Sequence, residues 1–362
     1  MTETSSALLA ALHRSLLSLT EEPPRRESQA SPPKKQKAAS QSTEGQSTEG
    51  QSTEGHPAAT QPTATQPDGA RVAVAVSGGV DSMTLAVVTH RALGEACEIF
   101  HAVSPAVPSD ASARVRSYAA AEGWRLQVLN AGEFDDDRYL TNPLNRCFFC
   151  KSHLYEALVL QTDAVLLSGT NLDDLGDFRP GLEAARNHSV RHPFVEAGID
   201  KNGIRRIARH LGLEGLAELP AAPCLSSRVE TGLYIEATTL TAIDAAEKLV
   251  AEALQGNRAR LPLGHLSTAQ SSTADHSTAD HSTVQGSLSP TGGPEQSVRC
   301  RLRRGSIVIE LDAGSLGRLG SDQKRGLAGK IAATFRAAAV EHPVHFELYR
   351  RGSAFLRPQH HD

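Results

Sequence analysis

Between residues 70 and 228 the chain alternates short, largely apolar runs with polar-faced stretches of helical length. The runs are VAVAV (72–76), IFHAV (99–103), RLQVL (125–129) and AVLLSG (164–169). Helical lengths lie at 82–93 and 111–122 and begin again near Cys150. A strand apolar throughout must be covered on both faces, and strands separated by helices pair in parallel. The pattern predicts an α/β fold with an open, doubly wound parallel sheet. Ligands of such sheets bind beyond the carboxyl ends of the strands, so the turns after VAVAV, IFHAV and AVLLSG are expected to converge on one site. After Arg228 the pattern changes to a long helix (235–254), strands VRCRLR (298–303) and SIVIEL (306–311), a helix (321–340) and a strand VHFELY (344–349). That succession predicts a smaller C-terminal α+β domain over 229–362.

Leu8, Leu9, Leu12, Leu16 and Leu17 recur at helical spacing, so residues 1–19 are expected to form an amphipathic helix docked on the domain. Residues 20–69, with a threefold QSTEG repeat, hold too little apolar surface to offset the entropy of ordering. They read as a disordered linker, and 267–296, with STADHSTADH, as a disordered insertion. His276 and His281 in that insertion read as solvated repeat residues, not metal ligands. With 37 Lys and Arg against 41 Asp and Glu, the net charge is −4 and no basic stripe calls for nucleic acid or anionic membrane. A small-molecule substrate is the expectation. No apolar run is long enough to cross a bilayer and no basic leader precedes the first leucines, so a cytoplasmic location is expected. Five cysteines, an odd number, read as reduced thiols and not as a disulfide framework.

The turn after the first strand is SGGVDS, Ser77–Ser82. It has no Walker lysine and no GxGxxG spacing. Gly78 and Gly79 allow close backbone approach, and the following helix offers free N–H groups to a phosphate. Ser77 and Ser82 add hydroxyls, while Asp81 would hold a divalent cation or cap the helix. An ordinary strand-to-helix turn is the plain alternative. The hexapeptide resembles the pyrophosphatase-type loop (PP-loop) of ATP-dependent adenylating enzymes, a HUP-like fold shared by GMP, NAD and asparagine synthetases and tRNA thiolases. That resemblance implies ATP at Ser77, Gly78, Gly79, Asp81, Ser82 and Gly169, with Mg²⁺ at Asp81.

Three further blocks are more specific: NPLNRCFFCKSHLYEAL from Asn142, GTNLDDLGDFRPGLEAA from Gly169, and PAAPCLSSR ending at Arg228. With them the chain is similar to the LarE family from about Arg71 onward, the 267–296 insertion excepted. The resemblance implies an ATP-dependent sulfur transferase. Such an enzyme adenylates carboxylates of pyridinium-3,5-biscarboxylic acid mononucleotide and converts them to thiocarboxylates for a nickel-pincer cofactor. It places Ser227 and Arg228 on the family's Ser-Arg pair and Glu247 on a later helix glutamate. Arg299 and Arg301 fall on arginines lining a pocket for the substrate phosphate, though Arg301 also reads as a solvated strand face. The family's sacrificial cysteine falls on Pro223, a departure from that pattern. Cys147, Cys150 and Cys224 then suit a three-cysteine [4Fe–4S] cluster with one iron open to sulfide. Cys224 as sacrificial donor, structural zinc and inert thiols stay open. A homo-oligomer, a sulfide donor and other cofactor-biosynthesis enzymes are the implied partners.

Cys97 and Cys300 read as core residues. Asp173, Asp174 and Asp177 are open between an Asx-turned loop and a role in placing Mg²⁺ or substrate. Asp135–Asp137 read as surface charge, and His188, His192 and His210 as packing or surface residues. A tRNA thiolase or an amide-forming synthetase of the same superfamily competes with sulfur transfer to a cofactor. A non-catalytic ATP-binding regulatory module competes from another class, and would have no use for Cys147, Cys150 and Cys224.

Overall fold

The computed structural model describes residues 4–21, 70–176, 179–221, 223–259 and 298–350. In chain order the first elements are α1 (Ser5–Glu21), β1 (Val72–Ala75), α2 (Val80–Leu93), β2 (Cys97–Ala102), α3 (Ser109–Glu122) and β3 (Leu126–Leu129). The one-turn α4 (Asp137–Leu140), α5 (Arg146–Val159), β4 (Val165–Leu167), α6 (Pro180–Asn187), the one-turn α7 (Pro193–Glu196), α8 (Lys201–His210) and α9 (Glu214–Ala217) follow. The second part holds α10 (Ala237–Ala259), β5 (Val298–Arg303), β6 (Ser306–Leu311), α11 (Ala313–Arg318), α12 (Ser321–Arg336) and β7 (Val344–Leu348).

The four strands β1–β4 form a parallel sheet in the order β3-β2-β1-β4, with Val74 between Ile99 and Leu167. From β1 the chain steps outward to β2 and β3, then crosses back to place β4 on the other side of β1. The strand order therefore reverses between β1 and β4, and that is where such a sheet opens a crevice for a ligand. Alternation along β1 sends Val72 and Val74 into one buried cluster and Ala73 into another, so both faces are covered. This is the α/β architecture the apolar runs predict, and it is consistent with a PP-loop ATPase fold.

One face is covered by α2 and α8, with α1 laid across them. Leu8, Leu12, Leu16 and Leu19 are buried there against residues such as Ile204 and Ile207, each worth roughly 1.5–3 kcal/mol of transfer from water. Leu17, counted in the apolar stripe, lies off that face and is 48% exposed. Thr20 and Glu21 continue α1. The rest of the linker, the 267–296 insertion with His276 and His281, and Asp177 lie outside the described residues. Helices α5 and α6 cover the opposite face through Tyr155, Leu158, Ala184 and Ala185.

The smaller sheet is mixed, in the order β5-β6-β7, with β5 antiparallel and β7 parallel to β6. Its core joins Ile307 and Ile309 to Ile243 and Val250 of α10 and to Ile331 and Phe335 of α12. Cys300 lies in this core and Cys97 in the larger one. Helix α10 runs to Ala259, beyond the expected end near 254, whereas α12 stops at Arg336, where the chain turns through a positive-φ Ala339. The two parts meet at the carboxyl edge of the parallel sheet. Leu225 donates its N–H to the Ala106 carbonyl (2.8 Å) in the turn after β2, and Val229 bridges Leu302 of β5.

Candidate active site

The turn from β1 into α2 is held open by its own side chains. Ser82 Oγ accepts from the Ser77 N–H (3.0 Å) and lies 3.1 Å from Ser77 Oγ, drawing the two ends of SGGVDS together. Gly78 adopts φ +80°, and a Cβ there would sit 2.7 Å from the Ala111 carbonyl oxygen, so glycine is required twice over. Arg114 of α3 fixes the same peptide by donating to the Gly78 carbonyl (2.7 Å). His101 anchors the strand end: its Nδ1–H donates to the Val76 carbonyl (2.9 Å) and Nε2 accepts from Ser112 Oγ (2.9 Å). Burial holds His101 below the usual imidazole range, which keeps it neutral. From the other side of the crevice Gly169, just after β4, reaches α2 so closely that a Cβ would lie 2.7 Å from Ser82 N and 2.9 Å from Asp81 C. Gly169 thus seats the first turn of α2 by backbone contact.

Asp81, expected to hold a cation or cap the helix, carries a cation partner from the protein itself. Lys201 Nζ, on the first turn of α8, donates to both carboxylate oxygens at 2.7 and 2.6 Å. Burial nevertheless raises Asp81 above the usual carboxylate range, against the pull of Lys201, and the charge of Asp174 adds to the rise. Asp174 accepts from the Asn171 N–H (3.1 Å) and pairs with Arg179 (2.8 Å), while Asp173 accepts from the Lys201 N–H (3.1 Å). The Asx turn and the placement of charge at the SGGVDS turn are therefore parts of one arrangement. His192 has more than a packing contact: its Nδ1 lies 2.9 Å from Ser168 Oγ, next to Gly169. His210 is exposed, and His188 packs against the Tyr155 ring.

The three cysteines come from two distant segments, and Cys224 lies within electrostatic reach of Cys147 and Cys150. Cys147 and Cys150 lie on the first turn of α5, and Cys224 on the loop before Leu225–Arg228. Cys224 raises both Cys147 and Cys150, and Cys147 raises Cys150. Burial dominates, pushing Cys150 up to about 12, with Lys151 pulling the other way. Cys147 is also raised, first by burial and then by Cys224, against Arg146, Lys151 and Arg179. For Lys151 itself burial works against the charge, but Tyr155 and the three thiols outweigh it and raise the ammonium. Arg179 acts on Cys147 while its ion-pair partner Asp174 acts on Asp81, linking the CxxC and the SGGVDS turn through one charge pair. Among the described residues no three His, Cys, Asp or Glu side chains are arranged to hold a metal ion. The donor chemistry suits thiolate ligation: three soft sulfurs with Arg146, Lys151 and Arg179 beside them to offset negative charge.

Alkylation follows from this ordering. At pH 8 iodoacetamide is expected to label exposed Cys224 first, Cys147 more slowly, and Cys150 and Cys97 hardly at all. A thiol with a pKa of about 12 is thiolate in only about one molecule in ten thousand at that pH. Peptide mass spectrometry of the reduced, metal-free chain checks the order. Equal labelling of Cys150 and Cys224 would contradict the described burial.

Arg228 is 2% exposed and pairs with Glu247 at 2.9 and 3.3 Å. Its Nη1 donates to the Pro223 carbonyl (2.6 Å), the Cys224 carbonyl (3.3 Å) and Ser227 Oγ (3.0 Å). Arg301 is 7% exposed, which removes the solvated-face reading. It donates to Glu310 (2.6 Å) and to the Ser227 carbonyl (3.0 Å). Arg299 donates to the Ala221 and Val298 carbonyls, and burial followed by the Arg228 charge lowers it. All three arginines grip the backbone on either side of Cys224.

Several contributors escape a reading of the chain alone. Lys201, Arg114 and Glu310 carry no local motif, and Lys151 lies in the NPLNRCFFCKSHLYEAL block with nothing there to mark its task. Tyr139, buried, shares a 2.6 Å hydrogen bond with Ser226 Oγ and faces Cys224 and Cys150. Asn142, at φ +54°, donates to the Val229 and Glu230 carbonyls and accepts from Arg146 (2.6 Å), tying the CxxC turn to the second domain. Its place in the NPLNRC block was the available signal. Asp136, expected as surface charge, instead caps α4 and accepts from His153 (2.8 Å), and Arg138 and His153 hold its carboxyl well below the usual range.

No protein-family model matches the chain. It is 28% identical over 183 residues to the pyridinium-3,5-bisthiocarboxylic acid mononucleotide synthase of Lactiplantibacillus plantarum, covering 49% of this chain and 66% of that protein. This supports a LarE-like relationship. An uncharacterized protein of Methanocaldococcus jannaschii is 27% identical over 51% of this chain and 71% of its own length. The uncharacterized protein slr1717 of Synechocystis is 36% identical over 181 residues, 49% of this chain. Since that match takes in 67% of the Synechocystis protein, the chain belongs to the same family as slr1717.

Proposed function

We propose that the chain is an ATP- and Mg²⁺-dependent sulfur transferase acting on a nucleotide carboxylate, pyridinium-3,5-biscarboxylic acid mononucleotide being the substrate class. The observation that carries the reading is that Cys224 acts electrostatically on Cys147 and Cys150 of a distant segment, one charge pair away from the SGGVDS turn. The loop's N–H groups and the α2 terminus offer a seat for the phosphates of ATP. Asp81 would hold Mg²⁺, with Lys201 released to the phosphates. A carboxylate oxygen of the substrate attacks the α-phosphorus, pyrophosphate departs and an acyl-adenylate forms. Sulfide then attacks the acyl carbon, the bond to the phosphate oxygen breaks, and AMP leaves a thiocarboxylate. The thiols would hold a [4Fe–4S] cluster, which supplies an open iron for binding that sulfide.

A relative named as a GMP synthase subunit from Methanopyrus kandleri, 29% identical over 40% of this chain and 50% of its own length, supports ATP use and also an amide-forming alternative. The grouped thiols favour sulfur chemistry. A cytoplasmic, homo-oligomeric enzyme served by a sulfide donor completes the proposal, and no described helix is long and apolar enough to cross a membrane. The test is pyrophosphate release from ATP. Release that depends on the dicarboxylate mononucleotide, with thiocarboxylate formed when sulfide is supplied, is the expected result. ATP binding without substrate-dependent release would point to a regulatory module, and amide formed from ammonia to a synthetase.

A further inference from the structure

The described residues between α9 and Leu225 form no regular element from 218 on, and Pro223 has no N–H with which to anchor the loop. The loop is gripped instead through its carbonyls. Arg299 takes Ala221, Arg228 takes Pro223 and Cys224, and Arg301 takes Ser227. Arg299 and Arg301 are two residues apart on β5, so they leave the same face of the strand while Cys300 between them enters the core. A buried carboxylate, Glu310, and a half-buried one, Glu247, brace the grip. Glu310 of β6 holds Arg301 at 2.6 Å, and Glu247 of α10 holds Arg228 and also accepts from the Cys300 N–H (2.9 Å). Buried ion pairs can often be replaced by apolar side chains without loss of stability. What these groups position accounts for them better than what they stabilise.

We infer that Arg299 and Arg301 are positioning residues, holding the carbonyls of Ala221 and Ser227 so that the small sheet fixes where the Cys224 sulfur lies relative to Cys147 and Cys150. The reading reaches beyond the phosphate-pocket role that the LarE resemblance implies for these two arginines. It gives the second domain a task in the sulfur step. It deepens the sulfur-transfer proposal, and only the kinetic half of its test rests on that proposal.

The kinetic half compares the full chain with Arg301→Gln and Arg301→Lys in a single turnover, reading thiocarboxylate formed per pyrophosphate released. A displacement of about 1 Å costs on the order of a hundredfold in a positioned reaction. The Gln variant is therefore expected to lower the ratio at least about tenfold, because an unplaced sulfur leaves the adenylate to water. Lysine restores it only in part, since an ammonium lacks the fork that serves Glu310 and Ser227 together. An unchanged ratio, with more mononucleotide needed for half-maximal pyrophosphate release, would overturn the inference and make Arg301 a substrate binder. The second half is amide hydrogen exchange without ligands. Arg301→Gln should speed exchange at Leu225 and Ser227 about tenfold while β6 is unchanged. Equal acceleration throughout the small sheet, or none in the loop, overturns the positioning role. If the unmodified chain releases no pyrophosphate, the sulfur-transfer proposal falls, and the exchange result still decides the role of Arg301.

Discussion

Gly169→Ala is expected to lower substrate-dependent pyrophosphate release at least about a hundredfold. The added methyl would stand 2.7 Å from Ser82 N and 2.9 Å from both Asp81 C and Ser82 Cα. All three are backbone atoms of the first turn of α2, so no flexible side chain can swing aside. Either β4 or α2 must move, at roughly 1–3 kcal/mol for overpacking. The kinetic loss exceeds what the stability loss implies, because the displaced turn carries Asp81 and Ser82, and misplacement by about 1 Å already costs on the order of a hundredfold. A melting temperature lowered by a few degrees, with the chain still folded, separates displacement from collapse. Gly176→Ala serves as the control: it lies in the turn that follows β4, and a Cβ there meets nothing within 4 Å. Equal activity in the Gly169 variant and the control would remove Gly169 from the site.

The parallel sheet was legible because its inner strand β1 and its neighbour β4 are apolar on both faces, which leaves few architectures open to VAVAV and AVLLSG. SGGVDS was legible for a related reason: its glycines and hydroxyls act over six consecutive residues. Lys201 was not, since it meets Asp81 across 120 positions and nothing near it marks a lysine with a task. The CxxC at Cys147 and Cys150 announces itself by spacing, whereas Cys224 joins it only through the fold. For Arg228, Arg299 and Arg301 the residue types were readable and their partners were not. An arginine in a sequence suggests an anion, yet backbone carbonyls have no sequence signature, and here carbonyls receive many of the donors. Asp136 was misread for the mirror-image reason: three successive aspartates suggest solvent, but the middle one is turned inward to cap α4 and meet His153.

Serine at Cys147, Cys150 or Cys224 is expected to lower thiocarboxylate formation by about a thousandfold or more, the scale on which groups that act as one unit fail together. If the three thiols ligate one cluster, the losses are similar and non-additive: the triple variant is little worse than any single one. Iron bound after anaerobic purification falls in parallel. A sacrificial Cys224 gives a different pattern, in which Cys224→Ser alone is inactive and the intact chain loses the mass of one hydrogen sulfide per turnover without iron. Lys151→Met then tests the electrostatics of the group. Its ammonium faces all three thiols and opposes the burial that holds Cys150 up at about 12. Removing it raises Cys147 and Cys150 further, and ligation requires thiolates, so iron uptake should move to higher pH than in the unmodified chain. A shift to lower pH, or none, would mean that Lys151 does not share its field with the sulfurs.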